Sequence, residues 1–113
     1  MEPRLQSGVL VKALQRRAES EGGFAALLAR GDSMSGAILV ILTEKGRNAR
    51  VVERVLNPDG RYAWHPIWQQ AAENDEELQK FLARRRKFDS DLWLIELNVA
   101  SAERFTAEMN ESV

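Results

Sequence analysis

Arg30-Gly31-Asp32-Ser33-Met34-Ser35-Gly36 followed by Ala37-Ile38-Leu39-Val40-Ile41-Leu42-Thr43 is the stretch on which the fold turns. A glycine-bounded polar loop opens onto a run that is almost wholly apolar. The run is too short for a typical buried helix and rich in β-branched residues, so it reads as a strand covered on both faces. Glu44 to Asn48, with Gly46 at its centre, reads as a hairpin loop of the longer, glycine-containing kind. The next segment sets Val51, Val55 and Leu56 against Arg50, Glu53 and Arg54, as a strand with one wetter face does. This hairpin is expected at the middle of a sheet.

Upstream, Ser7 is the expected N-cap of a helix whose Leu10, Ala13, Leu14 and Ala18 recur at helical spacing, opposite Lys12, Gln15, Arg16 and Glu19. Gly22-Gly23 ends it. Phe24 to Ala29 lies between glycines too close together for a stable helix and is read as a strand.

Downstream, Asn57-Pro58-Asp59-Gly60 is a turn, and Arg61 to His65 reads as a short edge strand with Tyr62 and Trp64 on one face. Pro66 is expected to mark the end of that strand. Ile67 to Ala72 has no clear periodicity. Asn74 or Asp75 starts a second helix with Leu78, Phe81 and Leu82 as its apolar stripe and Arg84, Arg85, Arg86 and Lys87 in its last turn. Asp89-Ser90-Asp91 breaks it. Trp93, Ile95, Leu97 and Val99 then alternate with Glu96 and Asn98 as a half-buried strand, and Ser101 caps a last helix carrying Ala102, Phe105, Thr106 and Met109. The reading is a single α+β domain over 1–113: a mainly antiparallel sheet of four to five strands, with about three helices packed on one face.

The 113 residues are enough for one core without staples. Hydrophobic residues make up 44% and charged residues 29%, a globular balance that argues against disorder. Net charge is -1, so global electrostatics gives no push toward nucleic acid or an anionic membrane. The absence of cysteine excludes disulfides and thiolate chemistry, and the lone His65 excludes a histidine-rich metal site within one chain. Lys12 interrupts the apolar Gly8-Val9-Leu10-Val11 before it reaches the length of a secretory signal, and no run approaches the ~20 residues of a membrane span. A cytoplasmic protein is expected, with no cofactor, no metal and no membrane contact.

Several segments, taken in order, carry a resemblance. They are Arg4-Leu5-Gln6-Ser7 leading into Val11-Lys12-Ala13-Leu14-Gln15-Arg16-Arg17, then Arg30-Gly31-Asp32 with Gly36-Ala37-Ile38-Leu39-Val40, and Phe88-Asp89-Ser90-Asp91-Leu92-Trp93 with Glu96. Together they resemble the uncharacterised alphaproteobacterial domain-of-unknown-function family 1491 over nearly the whole chain. Ser90 stands where that pattern leads one to expect proline, and a C-terminal helix replaces a short ending of acidic and basic residues. The resemblance implies one cytoplasmic domain and brings no chemistry.

Five features could carry function. Gly31-Asp32-Ser33-Met34 is similar to the stretch around the nucleophile of signal-peptidase and self-cleaving repressor proteases, where a desolvated lysine activates the serine. Here Lys45 falls in the expected turn and the next lysine is Lys80, so a polar loop with Asp32 or Ser33 bonding backbone is the simpler account. His65 would need a partner such as Asp32, Glu44, Asp59 or Asp91 to act as a base, and Asp89 with Asp91 is better explained as a turn than as a cation site. Arg84 to Lys87, one turn after Lys80, could grip phosphates with Tyr62, Trp64 or Trp68 as stacking surfaces, although a solvated helix end explains it as well. Trp64, Ile67 and Trp68 flank a proline near an edge strand, where a protein partner could dock.

The expected function is that of a non-enzymatic domain acting through protein contacts, with a homodimer as one form and Tyr62 to Trp68 as the contact. The alternative is a small enzyme or ligand-binding domain using Arg30, Asp32, Ser33 and Asp91, with His65 converging on them. Nucleic-acid binding through Arg84, Arg85, Arg86 and Lys87 is third.

Overall fold

Strand β2 (Ile38–Glu44) is the centre of the sheet in the computed structural model, which describes residues 6–69 and 75–112. Ile38, Val40 and Leu42 enter one core, Leu39 and Ile41 the other. An apolar run with no polar alternation is what double burial requires. In chain order the elements are α1 (Ser7–Ser20), β1 (Phe24–Ala29), β2, β3 (Arg47–Leu56), β4 (Tyr62–Gln69), α2 (Asp75–Phe88), β5 (Trp93–Asn98) and α3 (Ala102–Ser112).

The sheet order is β1-β5-β2-β3-β4, so the hairpin does lie in the interior of the sheet. All pairs are antiparallel except β2 with β5. A parallel neighbour needs a crossover, and the segment containing α2 supplies it. Strand β5 thereby inserts between β1 and β2, which leaves β1 as an outer strand.

The fold is the expected α+β domain, but its helices cover both faces. Leu10, Val11, Leu14 and Ala18 of α1 and Ala102, Phe105 and Met109 of α3 close the first core. Leu78 and Leu82 of α2 close the second over Leu39, Ile41, Val51, Leu92 and Leu94. Each of the larger side chains among these contributes roughly 1.5–3 kcal/mol when fully buried, and a single helical layer would forfeit that on one side of β2 and β5. For the same reason β5 is not half-wet: Leu94 is buried beside Trp93 and Ile95.

Local details depart from the sequence reading in three places. The β2–β3 turn is only Lys45-Gly46, with φ of 54° and 76°, and Glu44 pairs with Arg47. Two successive left-handed residues match the twist of the strands, so β3 starts at Arg47 and no longer loop is needed. Strand β4 continues past Pro66, which pairs opposite Val52. An edge strand has backbone positions that need no ladder partner, and a bulge follows: Val51 pairs with Trp68 and Val52 with Pro66, leaving Ile67 extra. Ser7 is not the N-cap. Gln6 holds that position without a side-chain bond, and the buried Ser7 hydroxyl donates to the Gly36 carbonyl at 2.6 Å.

Ser101 does cap α3, its hydroxyl accepting from the Arg104 amide at 3.2 Å while the Glu44 carboxylate accepts from the Ala102 amide at 2.7 Å. Asp75 opens α2, and Asn74 lies outside the described residues, as do 70–72 of the segment without clear periodicity. Among the described residues no helix is long and apolar enough to cross a membrane.

Candidate functional site

The Asp32–Ser33 loop spends its polar groups on itself. The Asp32 carboxylate accepts from the Ser35 amide at 2.9 Å, the Met34 amide at 3.1 Å and the Ser35 hydroxyl at 3.2 Å. The Ser35 amide first, then the Met34 amide and the Ser35 hydroxyl, hold its pKa below the ordinary aspartate value. The Asp32 amide donates to the Asp91 carbonyl at 3.0 Å, and the Trp93 indole donates to the Asp32 carbonyl at 2.7 Å. A Cβ on Gly31 or Gly36 would stand 2.2 or 2.3 Å from the Asp91 carbonyl oxygen. The bracketing glycines are thus explained by close approach of the 89–92 turn. That turn is built as expected, with the Asp89 carboxylate accepting from the Asp91 amide at 3.1 Å.

Asp32 and Asp91 therefore meet through their backbones. Ser33 is exposed, and its carbonyl accepts from the Gly8 amide at 2.9 Å. Lys45 occupies the hairpin tip, at the other end of β2 and on the order of 20 Å of strand away, so the serine–lysine pairing of the protease-like motif does not form. His65 lies on β4, with β2 and β3 between it and β5, and its Nε2 is 2.9 Å from the Asn57 Oδ1. The anticipated convergence of Asp32, His65 and Asp91 is absent. A pocket of about 420 Å³ beside the loop is lined by Ser7, Ser35, Gly36, Arg54 and Tyr62 among others, and by none of those three. There the Arg54 guanidinium lies 4.0 Å from the Tyr62 ring centre.

The aromatic edge is divided between two cores. Trp64 is 3% exposed in the α1–α3 core, and its amide donates to Asn110 Oδ1 at 2.7 Å. Trp68 packs on the α2 side, its ring 5.1 Å from that of Phe81. Residues four apart in a regular strand share a face. The extra residue at Ile67 sends Trp68 to the other one, so the two indoles form no common surface.

The basic run is divided too. Arg85 turns to Glu53 in a two-pronged ion pair at 2.8 and 3.2 Å, with both side chains partly buried. Arg84, Arg86 and Lys87 remain exposed. Lys80 reaches Glu76 at 3.5 Å on its own helix.

A surface that the sequence reading did not single out is the free side of β1. Its six residues, Phe-Ala-Ala-Leu-Leu-Ala, contain no charge and no proline. Phe24 is 62% exposed, Leu27 46% and Leu28 45%. The strand is bordered by two grooves. One, of about 250 Å³ on the α1 side, is lined by Val9, Lys12, Leu27, Arg30, Ser33 and Trp93 among others. The other, of about 570 Å³ on the α2 side, is lined by Leu28, Arg30, Ala83, Arg86 and Lys87 among others. Arg30 borders both, its guanidinium 5.9 Å from the Trp93 ring. From sequence, a charge-free run of this kind reads as interior; only the pairing order shows it at an edge.

The profile of a protein family described only as of unknown function, DUF1491, matches residues 5–107. The chain belongs to the DUF1491 family. The match spans both Ser90 and the start of α3, the two places where the sequence departed from the expected pattern. Solved structures share the fold. The crystal structure of a DUF1491 family protein from Caulobacter crescentus CB15 is 28% identical, with a TM-score of 0.78 over 90% of this chain and 94% of that one. An NMR structure of a DUF1491 family protein from the same organism is 29% identical, with a TM-score of 0.78 over 93% and 94%. The solution structure of Atu0922 from A. tumefaciens is 28% identical, with a TM-score of 0.76 over 92% and 93%. No curated protein matches the chain.

Proposed function

We propose that this DUF1491 protein is a non-enzymatic cytoplasmic domain that works through protein contacts, made where another chain adds a strand to the free side of β1. The observation that carries the reading is an outer strand that, among the described residues, no element covers. Natural edge strands are blunted by lysine, proline, bulges or a covering element, because their unpaired amides and carbonyls template further pairing. Strand β4, at the opposite edge, carries Pro66 and the Ile67 bulge. Strand β1 has one bulge, at Leu28, and otherwise presents apolar side chains over grooves on both faces. An added strand would send alternate side chains into the two grooves, with main-chain bonds for affinity and the grooves for selectivity. The contact is thereby moved from the Tyr62–Trp68 segment, where Trp64 is core.

The test is a pull-down from source-cell extract, with and without nuclease, using the wild type and a Phe24→Lys/Leu28→Lys variant. Both replaced residues are exposed, so the fold is expected to survive, as circular dichroism would show. The reading predicts protein chains that resist nuclease and are lost with the variant. Retention of the same chains by the variant would contradict it, as would recovery of nuclease-sensitive material held by Arg84, Arg86 and Lys87 alone.

A further inference from the structure

We infer that the strand added at β1 is β1 of a second copy, in an isologous dimer that seats Phe24 of each copy in the α2-side groove of the other. This rests on the strand-addition reading above. Four features of β1 point to self-pairing.

The first is symmetry. Antiparallel pairing about a two-fold axis normal to the sheet keeps the α1 faces of both copies on one side, and facing residues must then point the same way. The bulge at Leu28 leaves Leu27 on the α1 side and Ala29 on the α2 side, so a register centred on Leu27 would set Ala25 against Ala29 on opposite faces; the central register that satisfies the rule is Ala26 opposite Ala26 of the second copy.

The second is shape. Ala25 packs into the α1–α3 core, so its neighbour Phe24 points to the α2 side. In this register Phe24 falls opposite Leu28 of the second copy. Leu28 lines the α2-side groove, whose Ala83, Arg86 and Lys87 offer an apolar floor, aliphatic stems and cations for a ring face. The most exposed side chain of β1 thus meets the larger groove of its own fold.

The third is charge. The turn before β1 carries the exposed Glu21, 3.4 Å from Arg17. Arg30, at the end of β1, borders both grooves, whereas Arg86 and Lys87 lie on the α2 side beside Asp89. Antiparallel pairing centred on Ala26 brings Glu21 of each copy near Arg30 of the other, and symmetry repeats the contact.

The fourth is the other face. Leu27 lines the α1-side groove and would face Ala25 of the second copy, which covers that groove at the same time.

The chain has no cysteine, so a single introduced thiol reports the register directly. The experiment is sedimentation velocity on the wild type and Phe24→Lys, together with oxidation of Ala26→Cys, Leu27→Cys and, as a control on another part of the surface, Leu56→Cys. The wild type is expected to sediment as a dimer, and Phe24→Lys to weaken self-association by roughly tenfold or more with the fold intact. The Ala26 thiol is expected to form a covalent dimer well ahead of the Leu27 thiol and of the control. A wild type that stays monomeric up to millimolar concentration, with β1 thiols no faster than Leu56→Cys, overturns the inference. If partner proteins are still lost with Phe24→Lys/Leu28→Lys in that case, strand addition stands and a different chain occupies the edge. If they are not, both fall.

Discussion

The hydroxyl of Ser7 donates to the carbonyl of Gly36 at 2.6 Å, joining the first turn of α1 to the loop that leads into the central strand. The amides of Ser7 and Gly8 extend the same seam to the carbonyls of Met34 and Ser33, at 3.4 and 2.9 Å. A helix start normally leaves amides to be capped. Here the loop's main chain does part of the capping, and the serine hydroxyl is free to bridge outward.

Ser7→Ala is therefore expected to cost about 1–2 kcal/mol, because it strips a buried carbonyl of a hydrogen bond. Urea unfolding would measure it. A loss no larger than that of an exposed serine, such as Ser20→Ala, would show that the seam contributes little.

Gly31→Ala tests the contact between the loop and the 89–92 turn. The added methyl would stand 2.2 Å from the Asp91 carbonyl oxygen and 2.7 Å from the Leu92 carbonyl carbon. Backbone must move to admit it, and about 2–3 kcal/mol of destabilisation follows from overpacking. Gly60→Ala probes a different cost: nothing lies within 4 Å of its Cβ, but its φ is +86°. Equal stability of Gly31→Ala and wild type by thermal melting would contradict the close approach.

The two tryptophans of β4 should separate on mutation. Trp64→Ala empties a place in the α1–α3 core and is expected to cost about 3–5 kcal/mol. Trp68→Ala removes a half-buried ring leaning on Phe81, at about 1–2 kcal/mol. Denaturant midpoints would show the order. Neither change should alter partner capture as long as the protein remains folded.

Acid should loosen the Asp32 loop before the sheet. The folded carboxylate has a pKa below its unfolded value, so its contribution is present above about pH 4 and is lost as pH falls through the folded value. Glu108 is shifted in the same direction, chiefly by the Arg17 side chain, at the α1–α3 contact. The indole resonance of Trp93, which donates to the Asp32 carbonyl, should follow the loop. Asp32→Asn should remove that acid transition and leave the one at Glu108. Persistence of the Trp93 transition in Asp32→Asn would refute the assignment.

Much of the fold was legible in residues whose pattern admits one explanation. The uninterrupted Ile38 to Leu42 run specified a doubly covered strand, and Leu78, Phe81 and Leu82 specified the inward stripe of α2. What was not legible depended on pairing. Nothing in Trp93 to Asn98 states that this strand inserts between the first two, and that insertion places β1 at the edge. The same limit hid the contact surface. Trp64 and Trp68 looked like one patch because regular spacing puts them on one face, and the bulge that parts them shows in the sequence only as Pro66 inside an otherwise strand-like run. Ser7 was misread because a serine before an apolar helix usually caps it, whereas here its partner is far away in sequence.

Amide hydrogen exchange, followed residue by residue from micromolar to millimolar protein, tests the central claim most directly. If β1 is the contact element and a second copy fills it, alternate amides of Phe24 to Ala29, those not paired to β5, should become protected as concentration rises. The amides of β4 should remain unchanged. Exchange at β1 that is fast and independent of concentration, or protection that develops at β4 instead, would contradict the account.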